Sequence, residues 1–571
     1  MTEFCSPFPL PSIPDDLTIP QFFLEGYTHP NSTVRKDPTD VWFIDDATGR
    51  QVTFGELRVR TDHLTLGLAA SCDIKDGAVV LFFSPNHIDY VLAIWAFQRL
   101  GAIVATGNPM YTSEELVHLL RLSKATRIVT DARFLGPVHS ALAATGLPSS
   151  AVILLDIAEM PAPSGIKTIS ELVSVGEQSQ LAVPNQKLEP GGGKTKAALI
   201  FFSSGTSGKP KAVALSHYAV LANIIQLTAQ HRDGTRPRAL PQWAFLPGDV
   251  VTGLLPFFHV YGLIVNVYWT CFLGLILDVV PKFSLSTFLT SITKYRISHL
   301  ILVPPHIVLM CKDPSVGSRD YGHVKSIFSG GASISVPLMT QATQLFPNAS
   351  ISQGYGMSEV IIAALPDPGD PEPDGGSCGK MLPGFVAKVL KADGSYGGPG
   401  EEGELVMTGP SVGMGYLGDQ EGNKSTFVNG WVHSGDEVRF SEDGKLFIVD
   451  RLKELIKVRG FQVAPAELED HLMAHPYVAD VCVISILDDY SGELPLALVV
   501  PSAAAKTAID DGKGSEIKAA IQKHVSDHKV KDKWLAGGVR FIEVVPKSPS
   551  GKLLRRILRD KVRSENGAVI A

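Results

Sequence analysis

Short apolar runs alternate with helical patterns along much of this chain, and that alternation restricts the fold more than any other feature. Residues 79–83 read as a buried strand that ends in the turn Ser84-Pro85-Asn86. Residues 87–100 are apolar at helical spacing, and Gly101 then opens a second strand at 102–106. Strand, helix, strand with near-continuous apolar strands is the pattern of a parallel sheet covered by helices. It returns at 126–129 and 151–155, and further strands are predicted at 300–303 and 326–328. Residues 1–50 are Pro- and Asp-rich and are expected to wrap a surface. Residues 384–449 carry short strands between glycine turns, a β-rich subdomain. After Asp450-Arg451-Leu452-Lys453 the chain makes a compact unit: a helix from Pro465, strands at 481–486 and 496–500, and a helix at 516–525. The expected fold is α/β, with a large N-terminal domain of parallel and mixed sheets, residues 1–449. A small α+β domain, residues 450–571, follows.

Composition narrows the ligand class. Net charge is −7 over 571 residues, so no global field draws the chain to nucleic acid or an anionic membrane, and an anion must meet a local cluster. The six cysteines include no CxxC pair, which argues against a disulfide framework or a zinc site and fits a reducing compartment. No Lys or Arg precedes Arg35, and the chain ends Val569-Ile570-Ala571, so neither a secretory leader nor a peroxisomal Ser-Lys-Leu is expected. A cytoplasmic location follows. Residues 260–277 are uncharged and mostly apolar. With Gly262, Asn266 and Gly274 inside, they read as a buried helix followed by a core strand at 275–280 and not as a membrane span.

The densest local cluster of phosphate-type groups follows an apolar strand at 197–202. Ser203-Ser204-Gly205-Thr206-Ser207-Gly208-Lys209-Pro210-Lys211 offers bare backbone amides, hydroxyls and two ammonium groups, the parts of a polyphosphate cradle. It is not a Walker A loop: two residues separate Gly205 from Gly208, and Pro210 follows Lys209. A helix at 217–230 is placed to turn its N-terminus toward bound phosphate. Gln353-Gly354-Tyr355-Gly356-Met357-Ser358-Glu359 offers a flat ring for a purine, a hydroxyl for a phosphate, and a hard carboxylate of the kind magnesium takes beside phosphates. His433-Ser434-Gly435-Asp436 sets a carboxylate where it can accept from ribose hydroxyls.

These motifs, with 450–469 and 546–556, stand in the order and spacing of the adenylate-forming superfamily. The chain most resembles 4-coumarate–CoA ligase and its fungal relatives, from Phe54 to Arg556. The resemblance implies an ATP-dependent acyl-CoA ligase. A carboxylate attacks the α-phosphorus of Mg·ATP, pyrophosphate leaves, the small mobile domain rotates, and the thiol of coenzyme A takes the acyl group. It implies Ser203, Ser204, Gly205, Thr206, Ser207 and Lys211 as the pyrophosphate loop. Gln353, Gly354, Tyr355 and Ser358 become nucleotide contacts, Ala332 lies near adenine, and Glu359 is the magnesium ligand. Asp436 and Arg451 resemble the ribose pair. Lys453, Lys457 and Gln462 are similar to residues that meet the adenylate. Arg459, Gly460 and Lys282 resemble coenzyme A contacts. His259 is similar to the gate beside the acyl carboxylate. Lys552, in Ser548-Pro549-Ser550-Gly551-Lys552, resembles the catalytic lysine that bridges carboxylate, ribose and α-phosphate.

The same resemblance walls the acyl pocket with Tyr261, Val265, Gly331, Gly354, Ile361 and Ile362. Plant coumarate ligases have a hydroxyl residue at the place of Val265. Valine cannot make that bond, so the expected substrate is a less polar aryl acid or a medium-chain fatty acid. Two rivals stand beside the free ligase. One is a stand-alone adenylation enzyme that loads the phosphopantetheine of a carrier protein. The other is a non-catalytic relative that binds nucleotide or acyl groups.

Overall fold

The computed structural model describes residues 2–157, 160–184, 187–204, 210–231, 244–367, 376–452, 454–458, 461–488, 491–529, 531–548 and 551–567. Side chains 204, 461, 462, 492, 532, 566 and 567 are outside that description.

The predicted alternation builds two helix-covered sheets. In the first, Ala197–Ser204, Ile103–Gly107, Val79–Phe83, Arg127–Asp131 and Val152–Leu155 run parallel in that spatial order. Pro210–Ser216 returns antiparallel on Ala197–Ser204 and sets Lys211 opposite Ser203. In the second, Ser350–Gln353, Ser326–Ser329, Ile297–Leu302, Val250–Gly253, Ile276–Val279 and Val41–Asp45 are parallel, with Gln51–Thr53 as an antiparallel edge. One apolar core joins them through the helix Tyr90–Arg99, in which Tyr90 to Gln98 are buried.

Two expectations need correction. The first fifty residues do more than wrap a surface. Phe4–Cys5 extends the β-rich sheet, and Ile19–Leu24 is a buried helix started by a Thr18/Gln21 capping box. Its Phe23 stacks on Trp95 at 5.3 Å. The helix His217–His231 begins at the far end of the antiparallel strand Pro210–Ser216, away from the Ser203 end of that hairpin, so its N-terminus cannot face bound phosphate. His217 is instead a core residue, its Nδ1 accepting from Ile19 N at 3.1 Å, with burial holding its pKa down to about 3. The buried helix expected within 260–277 is present as the π-helix Tyr261–Trp269, which passes into Thr270–Phe272, and the core strand follows at Ile276–Val279. Asn266 inside the π-helix donates to Thr252 O at 2.7 Å, which is how a polar residue sits in so apolar a run. Among the described residues no helix is long and apolar enough to cross a membrane.

The β-rich part is antiparallel: Val386–Leu390, Gly403–Thr408, Trp431–Phe440 and Leu446–Arg451 pair in turn. The last of these strands runs two residues past the expected boundary at 449, since Arg451 pairs with Asp436. Beyond it Ile456–Val458, Gly492–Pro501 and Val478–Asp488 form a separate sheet with Phe461–Val463 at one edge and Gly538–Phe541 added in parallel. Helices Pro465–Met473, Gly514–His528 and Arg555–Gly567 accompany it.

Candidate active site

Two adjoining cavities, about 460 and 530 Å³, open where the sheets, the β-rich part and the C-terminal unit meet. The strands deliver the groups. Ser203 and Lys211 come from the two arms of the hairpin in the first sheet. Gly330 and Gly331 follow the strand Ser326–Ser329, and Gly354 to Glu359 follow Ser350–Gln353. Both of these turns therefore lie at the carboxyl ends of parallel strands, where open α/β sheets bind ligands.

The smaller cavity is lined by Ser203, Lys211, His259, Tyr261, Ser358, Glu359, Ile361 and Ile362. The larger is lined by Ala332, Gln353 and Tyr355. Gly331, Gly354, Asp436, Arg451 and Lys552 line both. The tight glycines have a steric reason: a Cβ on Gly354 would stand 2.7 Å from the Phe328 ring, and one on Gly356 2.1 Å from Ile361 O. Ile361 itself holds φ +70, an uncommon and strained conformation for a β-branched residue, in the wall of the site.

Asp436 is held by the Tyr355 hydroxyl at 2.7 Å and by Arg451 Nε at 3.5 Å. Its own N–H donates to Ser434 Oγ, and that hydroxyl donates to Leu405 O. Glu359 is buried and accepts from the Tyr416 hydroxyl at 2.7 Å. Burial raises its pKa, a cost that a nearby cation would offset. Magnesium carried in with ATP fits this donor, a hard carboxylate facing a phosphate-sized cavity. Lys211 makes an ion pair with Asp419 at 3.1 Å and lies over the Tyr416 ring. Gln353 uses its amide on backbone, accepting from Ile334 N and donating to Gly376 O, so it ties the Gly331–Ala332 turn to the wall.

Lys552 reaches this wall from the C-terminal unit. Its loop is tight: Ser548 N donates to Lys552 O at 2.8 Å, and Lys552 N donates to Ser548 Oγ at 3.1 Å. Pro549 and Ser550 lie outside the described residues. Burial, then Arg451, pushes the Lys552 pKa down to about 8, while Glu454, Asp436 and Glu359 oppose the fall. His259 is held near 4 by burial and then by Lys552, so it is neutral. Among the described residues, contacts that dock the C-terminal unit include Lys312 Nζ donating to Ala479 O at 2.5 Å and Gly551 against Pro305, 2.9 Å from where its Cβ would be.

Some expected residues are not assembled. Val265 is fully enclosed in the π-helix and lines neither cavity. Tyr261, one turn earlier, takes the wall, its hydroxyl turned to Leu302 O and Phe328 O. Lys282 and Lys457 are exposed and line neither cavity. Gly205, Thr206, Ser207, Lys453, Arg459 and Gly460 lie outside the described residues, and Ser204 and Gln462 are described by backbone alone, Gln462 paired with Lys457.

Other groups at the site escaped the sequence reading. Tyr416, which holds Glu359, arrives on an edge strand two hundred residues after the hairpin it pairs with, and Asp419, which holds Lys211, caps the helix Gln420–Thr426 just beyond it. Asn86, in what read as a plain turn, spans the segment before His259: it donates to Gly253 O and Leu255 O at 2.9 Å and accepts from Phe257 N at 2.8 Å. Thr106 donates to Phe258 O at 2.8 Å. No local spacing announces either; only the pairing of distant strands does.

Comparison with known proteins agrees with this geometry. The family model described as AMP-binding enzyme matches residues 31–417, and the AMP-binding enzyme C-terminal domain matches residues 467–552. The chain is 34% identical to 4-coumarate–CoA ligase CCL1 of Humulus lupulus over 559 residues, covering 96% of each chain. It is 34% identical to 4-coumarate–CoA ligase 1 of Narcissus pseudonarcissus over 531 residues, covering 91% of each. In fold it is similar to ATP-bound MatB from Rhodopseudomonas palustris, TM-score 0.79 at 24% identity, covering 95% of this chain and 98% of that one. The anthranilate CoA ligase AuaEII with anthranoyl-AMP gives TM-score 0.81 at 19% identity, covering 97% and 99%. With five sequence motifs, two domain matches and full-length relatives in accord, the chain belongs to the AMP-binding enzyme family of adenylate-forming ligases, among the homologues of the 4-coumarate–CoA ligases.

Proposed function

We propose that this chain is an AMP-forming acid–thiol ligase that makes an acyl-adenylate from ATP and a carboxylic acid and passes the acyl group to coenzyme A. The observation that carries the reading is one amine, Lys552, entering from the C-terminal unit a cavity whose other walls hold Ser203, Lys211, Glu359, Asp436 and Arg451. Forming the adenylate turns a poor electrophile into a mixed anhydride with a good leaving group. In this reading Asp436, with Arg451, holds the ribose. Glu359 holds the magnesium of Mg·ATP, which supplies charge neutralisation on the phosphates. Lys211 and the 203–207 turn meet pyrophosphate. Lys552 stabilises the negative charge that gathers between acid and α-phosphate. His259, neutral, borders the acid. Residues 1–449 would bind both substrates, and 450–571 would move as a lid between the two steps, bringing Arg459-Gly460 to coenzyme A, which Lys282 of the N-terminal domain would also meet.

The acid is the finer question. The wall near His259 is built from Phe202, Phe258, Val260, Tyr261, Phe328, Ile361 and Ile362, and the Tyr261 hydroxyl is engaged with backbone. That supports an apolar body: an aryl acid without a ring hydroxyl, or a medium-chain fatty acid. These wall residues, and not the enclosed Val265, would set that preference. A cytoplasmic site fits six free cysteines, four of them buried. The test is acid-dependent pyrophosphate release across a panel of aryl and fatty acids, followed by a search for the thioester. Adenylate without thioester in the presence of coenzyme A would favour a carrier-protein acceptor. No acid-dependent release with any acid would favour the non-catalytic relative.

A further inference from the structure

The C-terminal unit carries a histidine cluster that the ligase reaction does not use. His524 and His528 lie one turn apart on one face of the helix Gly514–His528. His471, in the helix Pro465–Met473, faces them, and His475 follows. The rings of His471 and His524 stack at 4.2 Å with planes 8° apart, and His528 is 5.3 Å from both. His475 is 5.1 Å from His524. Each of His471, His524 and His528 offers a ring nitrogen, and these three atoms lie within 4.8 Å of one another.

The arrangement is built as a ligand set. His471 Nε2 is 3.1 Å from His524 O, His524 Nε2 is 3.2 Å from His471 O, and His528 Nδ1 is 2.8 Å from His524 O. Each of those nitrogens must be the N–H, because a carbonyl only accepts. The other nitrogen of each ring is left with its lone pair, the tautomer control found behind metal-bound imidazoles. The nearby ammonium groups are paired off: Lys529 and Lys533 on Glu467 at 2.8 and 2.6 Å, Lys523 on Asp527 at 2.7 Å.

We propose that His471, His524 and His528 bind one borderline transition-metal dication, Zn²⁺ or Ni²⁺, in a three-imidazole site with a fourth position open to water or His475. Imidazole nitrogen selects such ions over magnesium, which prefers oxygen, so this site is distinct from the Glu359 side of the molecule. Ligand nitrogens about 3.4 Å apart, as a tetrahedron with roughly 2.1 Å bonds requires, are reached only when the parallel His471 and His524 rings turn about their side-chain torsions, so the ion must displace the ring stack and its carbonyl hydrogen bonds.

The experiment is metal titration of the full-length chain without an affinity tag, read by calorimetry and by the ligand-field spectrum of added Co²⁺. The expected result is one ion per chain, uncompeted by excess Mg²⁺, with affinity falling in acid as protons compete for the ring nitrogens. His528→Ala, at an exposed position, should weaken binding roughly tenfold or more. His524→Gln should abolish it while the thermal melt of the metal-free protein stays near wild type for His528→Ala. Binding unchanged in both variants, or no saturable binding of Zn²⁺ or Ni²⁺ by the wild type, overturns the proposal.

Discussion

Lys552 carries two predictions. Lys552→Ala should slow acid-dependent pyrophosphate release by about a hundredfold or more, a few kcal/mol of transition-state stabilisation, while ATP binding measured by titration changes little. The same variant, given preformed acyl-adenylate and coenzyme A, should still make thioester. The pH profile has a sign: the amine is charged below its pKa of about 8, so in the free enzyme adenylate formation should fall as pH rises through that value. Asp278 titrates in the core instead. Neither of its oxygens has a hydrogen-bond partner, and burial, with Asp46 and Asp45 nearby, raises its pKa to about 8. The unfolded chain releases that proton near the ordinary 3.8, the folded chain only near 8, so stability is lost as pH climbs through that window. Asp278→Asn should therefore raise the melting temperature more at about pH 8 than at about pH 5, with the gap set by this linkage. An equal shift at both would exclude it.

At the scale of elements, close backbone approach decides. The helices Phe54–Ser71 and Ile169–Glu177 cross through Gly67 and Gly176. A Cβ on Gly67 would stand 1.9 Å from Leu172 O, and one on Gly176 1.7 Å from His63 O. Gly67→Ala should force the helices apart and cost about 1–3 kcal/mol or more, read by denaturant melts, with the pyrophosphate-release rate per folded molecule near normal. Such crossings were not legible in the sequence. Five parallel strands of the first sheet, from Val79–Phe83 to Ala197–Ser204, were, to within a residue or two, because each is an apolar run between turn signals. The site motifs were legible for the same local reason: hydroxyls, glycines and charges crowd into short windows. Asn86, Tyr416 and Asp419 were not, because their work depends on strands far apart in the chain. Val265 misled because its place in a sequence pattern does not say which side of a π-helix it takes. The helix 217–230 was found in the right place and turned the wrong way, since strand direction is invisible before the hairpin is paired.

For the molecule as a whole, the docked C-terminal unit matters most. Within it Arg555 is buried and braced by Glu469, with Nε at 3.1 Å, and by Glu454, which links its last helix to the wall of the site. Removing one partner of such a group strands a buried charge, so Arg555→Ala should cost about 3–5 kcal/mol in this unit, seen as an early transition in a thermal melt. Lys312 joins the two units through Ala479 O. Lys312→Ala should disfavour this docked arrangement by about 1 kcal/mol. Adenylate formation would slow several-fold, and thioester formation from supplied acyl-adenylate would not.

The order of the chain gives the position of Lys552 one more consequence. Every other wall of the smaller cavity, from Thr106 to Glu454, leaves the ribosome before Ser548 and Lys552 do. A nascent chain can therefore shape a nucleotide berth long before it owns the amine that spends ATP, and half-made copies are chemically silent.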